Sequence, residues 1–99
     1  MQGWALPFEQ QSTETWLRAI EVNLTAAFDL CKQLAAPLRA SPAACIVNIG
    51  SIYGLHGPDW SMYEGTNMAN PAAYAASKGG LLQLTRWLAT TLAPQVRVN

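Results

Sequence analysis

Tyr74 and Lys78 are the two side chains in this sequence best suited to moving a proton between them. At positions i and i+4 of a helix they stand on one face, one above the other, so the backbone sets their separation. A free phenol ionises near pH 10, leaving about one in a thousand charged at neutrality, and an adjacent ammonium lowers that point by about one to three pH units. Each pH unit corresponds to about 1.4 kcal/mol, enough to bring a phenol into the range of acid–base catalysis. Taken alone, the spacing is equally a half-buried tyrosine beside a solvated lysine. Ser51 alters the balance. It follows an apolar run ending Asn48-Ile49-Gly50, so its hydroxyl falls at the carboxyl edge of a strand, where open α/β sheets bind ligands. A hydroxyl there either holds a substrate oxygen or merely closes a turn. Asn23 interrupts the apolar stripe of an earlier helix, where an amide without partners costs about 1–3 kcal/mol. Its partner is either a core hydrogen-bonding group or a water held in a proton path.

The elements that carry these residues follow from periodicity and punctuation. Residues 1–11 have no period and read as a loop. Ser12 or Thr13 caps a helix, Glu14 favours its positive end, and Trp16, Ile20, Asn23, Ala27, Leu30 and Leu34 form its inward stripe as far as Pro37. Ala44–Ile49 is a continuous apolar run of strand length closed by Gly50, the pattern of a parallel strand covered on both faces. Residues 51–70 form a long loop rich in glycine and aromatics. Asn70 and Pro71 are expected as N-cap and first helical residue of a helix running to Ala93 and stopped by Pro94. Val96–Asn99 opens a second strand. Helix, strand, loop, helix, strand describes part of a doubly wound α/β layer. Two strands do not complete such a layer, so the sequence is expected to be an internal piece of a protein of about 250 residues.

Four strings in order, Val22-Asn23-Leu24, Ile46-Val47-Asn48-Ile49-Gly50-Ser51, Tyr74-Ala75-Ala76-Ser77-Lys78-Gly79-Gly80 and Val96-Arg97-Val98-Asn99, resemble the short-chain dehydrogenase/reductase family across nearly the whole chain. The resemblance implies a Rossmann-like fold and a catalytic tetrad of Asn23, Ser51, Tyr74 and Lys78. It implies that the tyrosine exchanges a proton with a substrate hydroxyl or carbonyl while a hydride passes to or from NAD or NADP. The serine would position the substrate oxygen. The lysine would ease ionisation of the tyrosine and, with it, bind the nicotinamide ribose, and the asparagine would hold a water behind the lysine. Family members often pair through the two long helices, so a homo-oligomer is expected. The family's glycine-rich phosphate loop has no counterpart in the 99 residues. The cofactor-binding N-terminal half is therefore expected to be absent, residues 1–99 to be the central-to-C-terminal catalytic part, and the isolated chain to be inactive.

Ser51 and Tyr74 stand 23 positions apart, wider than the family pattern. The added residues, Pro58 to Met68, mix aromatic and polar groups in a way that suits a substrate wall. Tyr53, Trp60, Tyr63 and Glu64 are the candidate substrate contacts, with an ordinary surface loop as the alternative. Tyr63-Glu64-Gly65-Thr66 is similar to members linked to bacterial surface-glycan sugar synthesis, which implies a small-molecule substrate of sugar or nucleotide-sugar type. His56 is read as an exposed turn residue, and one histidine with two distant cysteines makes no metal site. Cys31 and Cys45 are read as buried, reduced thiols.

Composition bounds the alternatives. With 51% hydrophobic and 12% charged residues the chain is too apolar to be disordered. Its six basic and six acidic residues give zero net charge and no basic stripe for nucleic acid. No apolar run spans a bilayer, and the start lacks a signal-peptide pattern, so a cytoplasmic setting without membrane attachment is expected. A non-catalytic module that pairs through its helices is the competing reading. A serine hydrolase ranks lower, because Ser51 lacks the Gly-x-Ser-x-Gly setting.

Overall fold

A computed structural model of the chain describes residues 6–66 and 70–99. Ser12 caps the first helix, its Oγ accepting the Thr15 N–H at 3.1 Å. Helix α1 (Thr13–Ile20) runs through a π-helical turn (Glu21–Thr25) into α2 (Ala26–Ala40). The helix passes through Pro37 rather than ending there. Leu38, one residue on, packs against the core and holds the last turn despite the missing donor. The inward face also differs from the expected stripe. Leu30 and Leu34 are exposed, whereas Cys31 is buried and Ala35 and Leu38 lie partly buried against the core. The wider π turn shifts the phase of everything after it, which a uniform 3.6-residue period does not anticipate.

Strand β1 (Ala44–Ile46) pairs in parallel with β2 (Val96–Val98), Ala44 opposite Val96 and Ile46 opposite Val98. Beyond the ladder, Asn99 N–H donates to Ile46 O at 2.9 Å and Asn48 N–H to Asn99 O at 2.7 Å. The strand is shorter than expected, and it is covered on one face only. Ala44 is buried, Cys45 is exposed, and Val47 and Ile49 are 67% and 74% exposed. Cys45 thus departs from the expected burial, because its side chain points from the face that no helix among the described residues covers.

Helix α3 (Ala72–Leu92) lies across this sheet and across α1. Its seam consists of Ala73, Ser77, Leu81, Leu88 and Leu92, with Leu88 rather than Trp87 turned inward. Leu88 and Leu92 meet Cys31, Ala44, Val96 and Val98 in the main core. Asn70 is not the N-cap. Pro71 keeps extended backbone, and the free Ala72 N–H is taken instead by Gln11 Oε1 at 3.2 Å. The segment before α1 thereby caps α3. The Cα radius of gyration, 16.1 Å, exceeds the roughly 13 Å of a compact chain this long, consistent with an elongated layer open on one side.

Candidate active site

The loop after β1 turns back onto α3 immediately after Ser51. Ser51 Oγ accepts the Tyr53 N–H at 3.2 Å, and Ser51 O accepts the Gly54 N–H at 3.0 Å, closing a 3-10 turn (Ile52–Gly54). This turn sits against Lys78: a Cβ on Gly54 would lie 2.8 Å from Lys78 O and 2.9 Å from its carbonyl carbon. Glycine is required here by the close approach of two backbones. At Gly79 a Cβ would lie 3.4 Å from Gly54 O, an ordinary contact, whereas Gly80 makes room for the Leu24 side chain.

Lys78 ties the helix to the strand end. Its Nζ donates to Ile49 O at 2.9 Å, two residues before Ser51, and lies 5.8 Å from the centroid of the Tyr74 ring, within cation–π range. Lys78, the strand end that carries Ser51, and Tyr74 are therefore gathered at the carboxyl edge of the parallel pair. Asn23 reaches this group by another route. Its Nδ2 donates to Ser77 Oγ at 3.1 Å, and Ser77 Oγ donates to Tyr74 O at 2.9 Å. The amide nitrogen thus has a core hydroxyl as a partner. It belongs to the π turn, a distortion that often marks functional positions.

Three features of this arrangement were not singled out from the sequence. Ser77 is fully buried and links Asn23 to the Tyr74 backbone. Its place one residue before Lys78, on the seam of α3, was the available signal. The Ile49 carbonyl and the tight Gly54 contact depend on how the loop returns, and no local pattern announces that.

The long loop carries a second turn (Trp60–Tyr63), capped by Asp59, whose carboxylate accepts the Ser61 N–H at 3.1 Å and the Ser61 hydroxyl at 2.6 Å. These bonds hold the Asp59 carboxyl below the usual carboxylate range. Tyr53 and Tyr63 share a hydrogen bond between hydroxyls at 2.9 Å, which is the main reason the Tyr63 phenol is pushed up from its ordinary value. Trp60 tilts against Tyr63 with ring centroids 5.7 Å apart. Tyr53, Trp60 and Tyr63 form one aromatic cluster, while Glu64 and His56 are exposed. Asn67 and Met68 lie outside the described residues.

An ammonium has three donors and Ile49 O takes one, so Lys78 with the Tyr74 hydroxyl suits vicinal hydroxyls such as those of a ribose. The Gly-x-Gly-x-x-Gly pattern that seats a pyrophosphate does not occur in the 99 residues. The donor set fits the nicotinamide end of a dinucleotide.

A parallel sheet with helices packed on it and polar groups gathered at its carboxyl edge defines a partial Rossmann-like α/β layer. Residues 2–99 match the family model for short chain dehydrogenases, and the chain belongs to that family. It is 37% identical over 94 residues to cyclopentanol dehydrogenase of Comamonas sp. (strain NCIMB 9872), covering 94% of this chain and 34% of that protein. Over 92 residues it is 38% identical to trans-4-hydroxycyclohexanecarboxylate dehydrogenase of Sinomonas cyclohexanicum, covering 92% of this chain and 31% of the relative. The solved structure of NAD+-bound xylitol dehydrogenase superposes with a TM-score of 0.79 at 33% identity, covering all of this chain and 35% of that one. The chain spans about a third of the length of these relatives.

Proposed function

We propose that these residues form the catalytic part of an NAD(P)-dependent oxidoreductase that interconverts a secondary alcohol and a ketone. The observation that carries the reading is the junction of strand end and helix, where Lys78 Nζ bonds Ile49 O beside Ser51 and lies over the Tyr74 ring. A nicotinamide bound there would accept or give the hydride. In the oxidising direction the carbinol carbon loses its hydride and the hydroxyl loses its proton to Tyr74 Oη, leaving a ketone. Ser51 Oγ holds the substrate oxygen, and the Lys78 ammonium faces the negative charge that the ionised Tyr74 oxygen carries until it takes that proton. Asn23 supports the start of α3 through Ser77. A substrate that is a small ring or polyol, including a sugar or nucleotide-sugar, agrees with relatives named for cyclopentanol, hydroxycyclohexanecarboxylate and xylitol. Tyr53, Trp60 and Tyr63 would stand along its path, in a cytoplasmic setting.

The test is a chimera in which the chain replaces the matching third of cyclopentanol dehydrogenase, assayed by NADH absorbance. Turnover that is lost by about 1,000-fold or more in Tyr74→Phe is expected, in line with losing a general acid–base group. A chimera that turns over equally well with phenylalanine refutes the assignment. The isolated chain is expected to show no turnover.

A second reading rests on a different surface. Between α2 and α3 a groove of about 230 Å³ is lined by Phe28, Cys31, Trp87 and Leu88, with Phe28 and Trp87 45% and 57% exposed. A second copy packing along this groove would cover them, whether or not the site is active. Sedimentation should then show a dimer that Trp87→Glu dissociates; a monomer at all concentrations rules this out.

A further inference from the structure

Besides its own bonds, the turn that follows Ser51 is held at two points. At Gly54 it closes on the Lys78 backbone. At Tyr53, the middle residue of the turn, it shares a hydroxyl–hydroxyl bond of 2.9 Å with Tyr63. Tyr53 also meets Ser51 directly, because its N–H donates to Ser51 Oγ at 3.2 Å. One residue therefore joins the Tyr63 hydroxyl to the oxygen of Ser51. Tyr63 belongs to the residues by which the Ser51–Tyr74 interval exceeds the family pattern.

Tyr63 is a firm anchor. Its own turn is capped by Asp59, which accepts the Ser61 N–H and hydroxyl, and the Met62 N–H donates to Asp59 O at 3.1 Å. The Thr66 hydroxyl donates to Tyr63 O at 2.7 Å, and the Trp60 ring tilts against the Tyr63 ring. The backbones of the Ile52–Gly54 and Trp60–Tyr63 turns approach each other at few points. Among the described residues the hydroxyl pair is the hydrogen bond that joins them. We propose that Tyr63 is a positioning residue whose hydroxyl, acting through Tyr53, fixes the turn that aims Ser51 Oγ. The use of Ser51 on a substrate oxygen rests on the reading above, whereas the tie between the two turns does not.

Tyr63→Phe and Tyr53→Phe each remove one hydroxyl and keep the ring. In the isolated chain, amide hydrogen exchange at Tyr53 and Gly54 should quicken about fivefold in either variant, the effect of losing one ordinary hydrogen bond. The double variant should exchange no faster than either single one, because all three lack the same bond. Unchanged exchange at these amides in Tyr63→Phe, an equal quickening along α3, or multiplied effects in the double variant would overturn the proposal. In the chimera, Tyr63→Phe should lower kcat about threefold or more and leave KM within about twofold, as misplacing a reacting group does. The loss should be the same for cyclopentanol and xylitol. A loss carried by KM that differs between the two alcohols would make the Tyr63 hydroxyl a substrate contact and overturn the positioning role. A chimera indifferent to Tyr74→Phe refutes the hydride-transfer reading instead, and the exchange rates then decide the tie alone.

Discussion

Replacing Gly54 with alanine tests the contact that holds the Ser51 turn against α3. The added Cβ would fall 2.8 Å from Lys78 O, about 0.6 Å inside the 3.4 Å at which ordinary contact begins. Both atoms nearest to it belong to the Lys78 backbone in the interior of a helix, so neither can rotate aside. The turn must therefore move outward by roughly that distance. Overpacking of this kind costs about 1–3 kcal/mol. For a chain of this length each kcal/mol lowers the melting temperature by about 4–8 °C, so about 2 kcal/mol predicts a fall of about 8–16 °C. Gly57→Ala is the control: a Cβ there meets nothing within 4 Å, and alanine is expected to be neutral or slightly stabilising. Thermal melts by circular dichroism of the two variants and the parent give the comparison. If Gly54→Ala melts as high as Gly57→Ala, the backbones do not approach as described. In the chimera, the outward movement also displaces Ser51, whose Oγ and carbonyl close the same turn. A misplacement of about 1 Å can cost about 100-fold in rate, so turnover should fall by more than the loss of folded protein explains.

Two further predictions concern titration and reactivity. Because the Asp59 carboxyl is held below its ordinary value by Ser61, its cap on the Trp60–Tyr63 turn is present above that ordinary value and is lost as pH falls through the lower, folded one. An NMR titration should place the Asp59 midpoint below 3.8 and Ser61→Ala should raise it; a midpoint at or above 3.8 in the parent contradicts the capping geometry. Burial pushes the Cys31 thiol up while Cys45 is exposed, so a thiol reagent at pH 8 should modify Cys45 more than about tenfold faster. Equal rates, measured by peptide mapping, would mean that α2 opens readily from the core.

The sequence made the site more legible than the fold around it. Tyr74 and Lys78 could be paired because helical geometry is local, and Ser51 because a β-branched run closed by glycine marks a strand end. The cap of α3 was misplaced for the opposite reason: the group that satisfies Ala72 comes from Gln11, 61 residues earlier, and Pro71 in extended backbone leaves Asn70 no capping role. Cys45 was expected inside because apolar runs are usually covered on both faces, but strand pairing alone leaves the second face open. Pro37 looked like a stop because its lost hydrogen bond is visible in sequence, whereas the packing of Leu38 that offsets it is not. Asn23 was recognised as needing a partner, but that Ser77 supplies it depends on how the π turn packs on α3.

The π turn at Glu21–Thr25 lets the long helix carry, in effect, one residue more than regular winding would need between the end that packs on α3 and the end that packs on the sheet. Each residue of a regular α-helix turns the chain by about 100°, so the extra residue, wound regularly, would rotate everything beyond it by that angle. Cys31 would leave the core, or Asn23 would leave Ser77, and no rotation of the whole helix restores both. The wider turn absorbs the residue instead, and a helix shortened there by one residue could wind regularly with both contacts still in phase. The irregular turn therefore acts as a spacer that keeps the two halves of the helix in phase with two different neighbours.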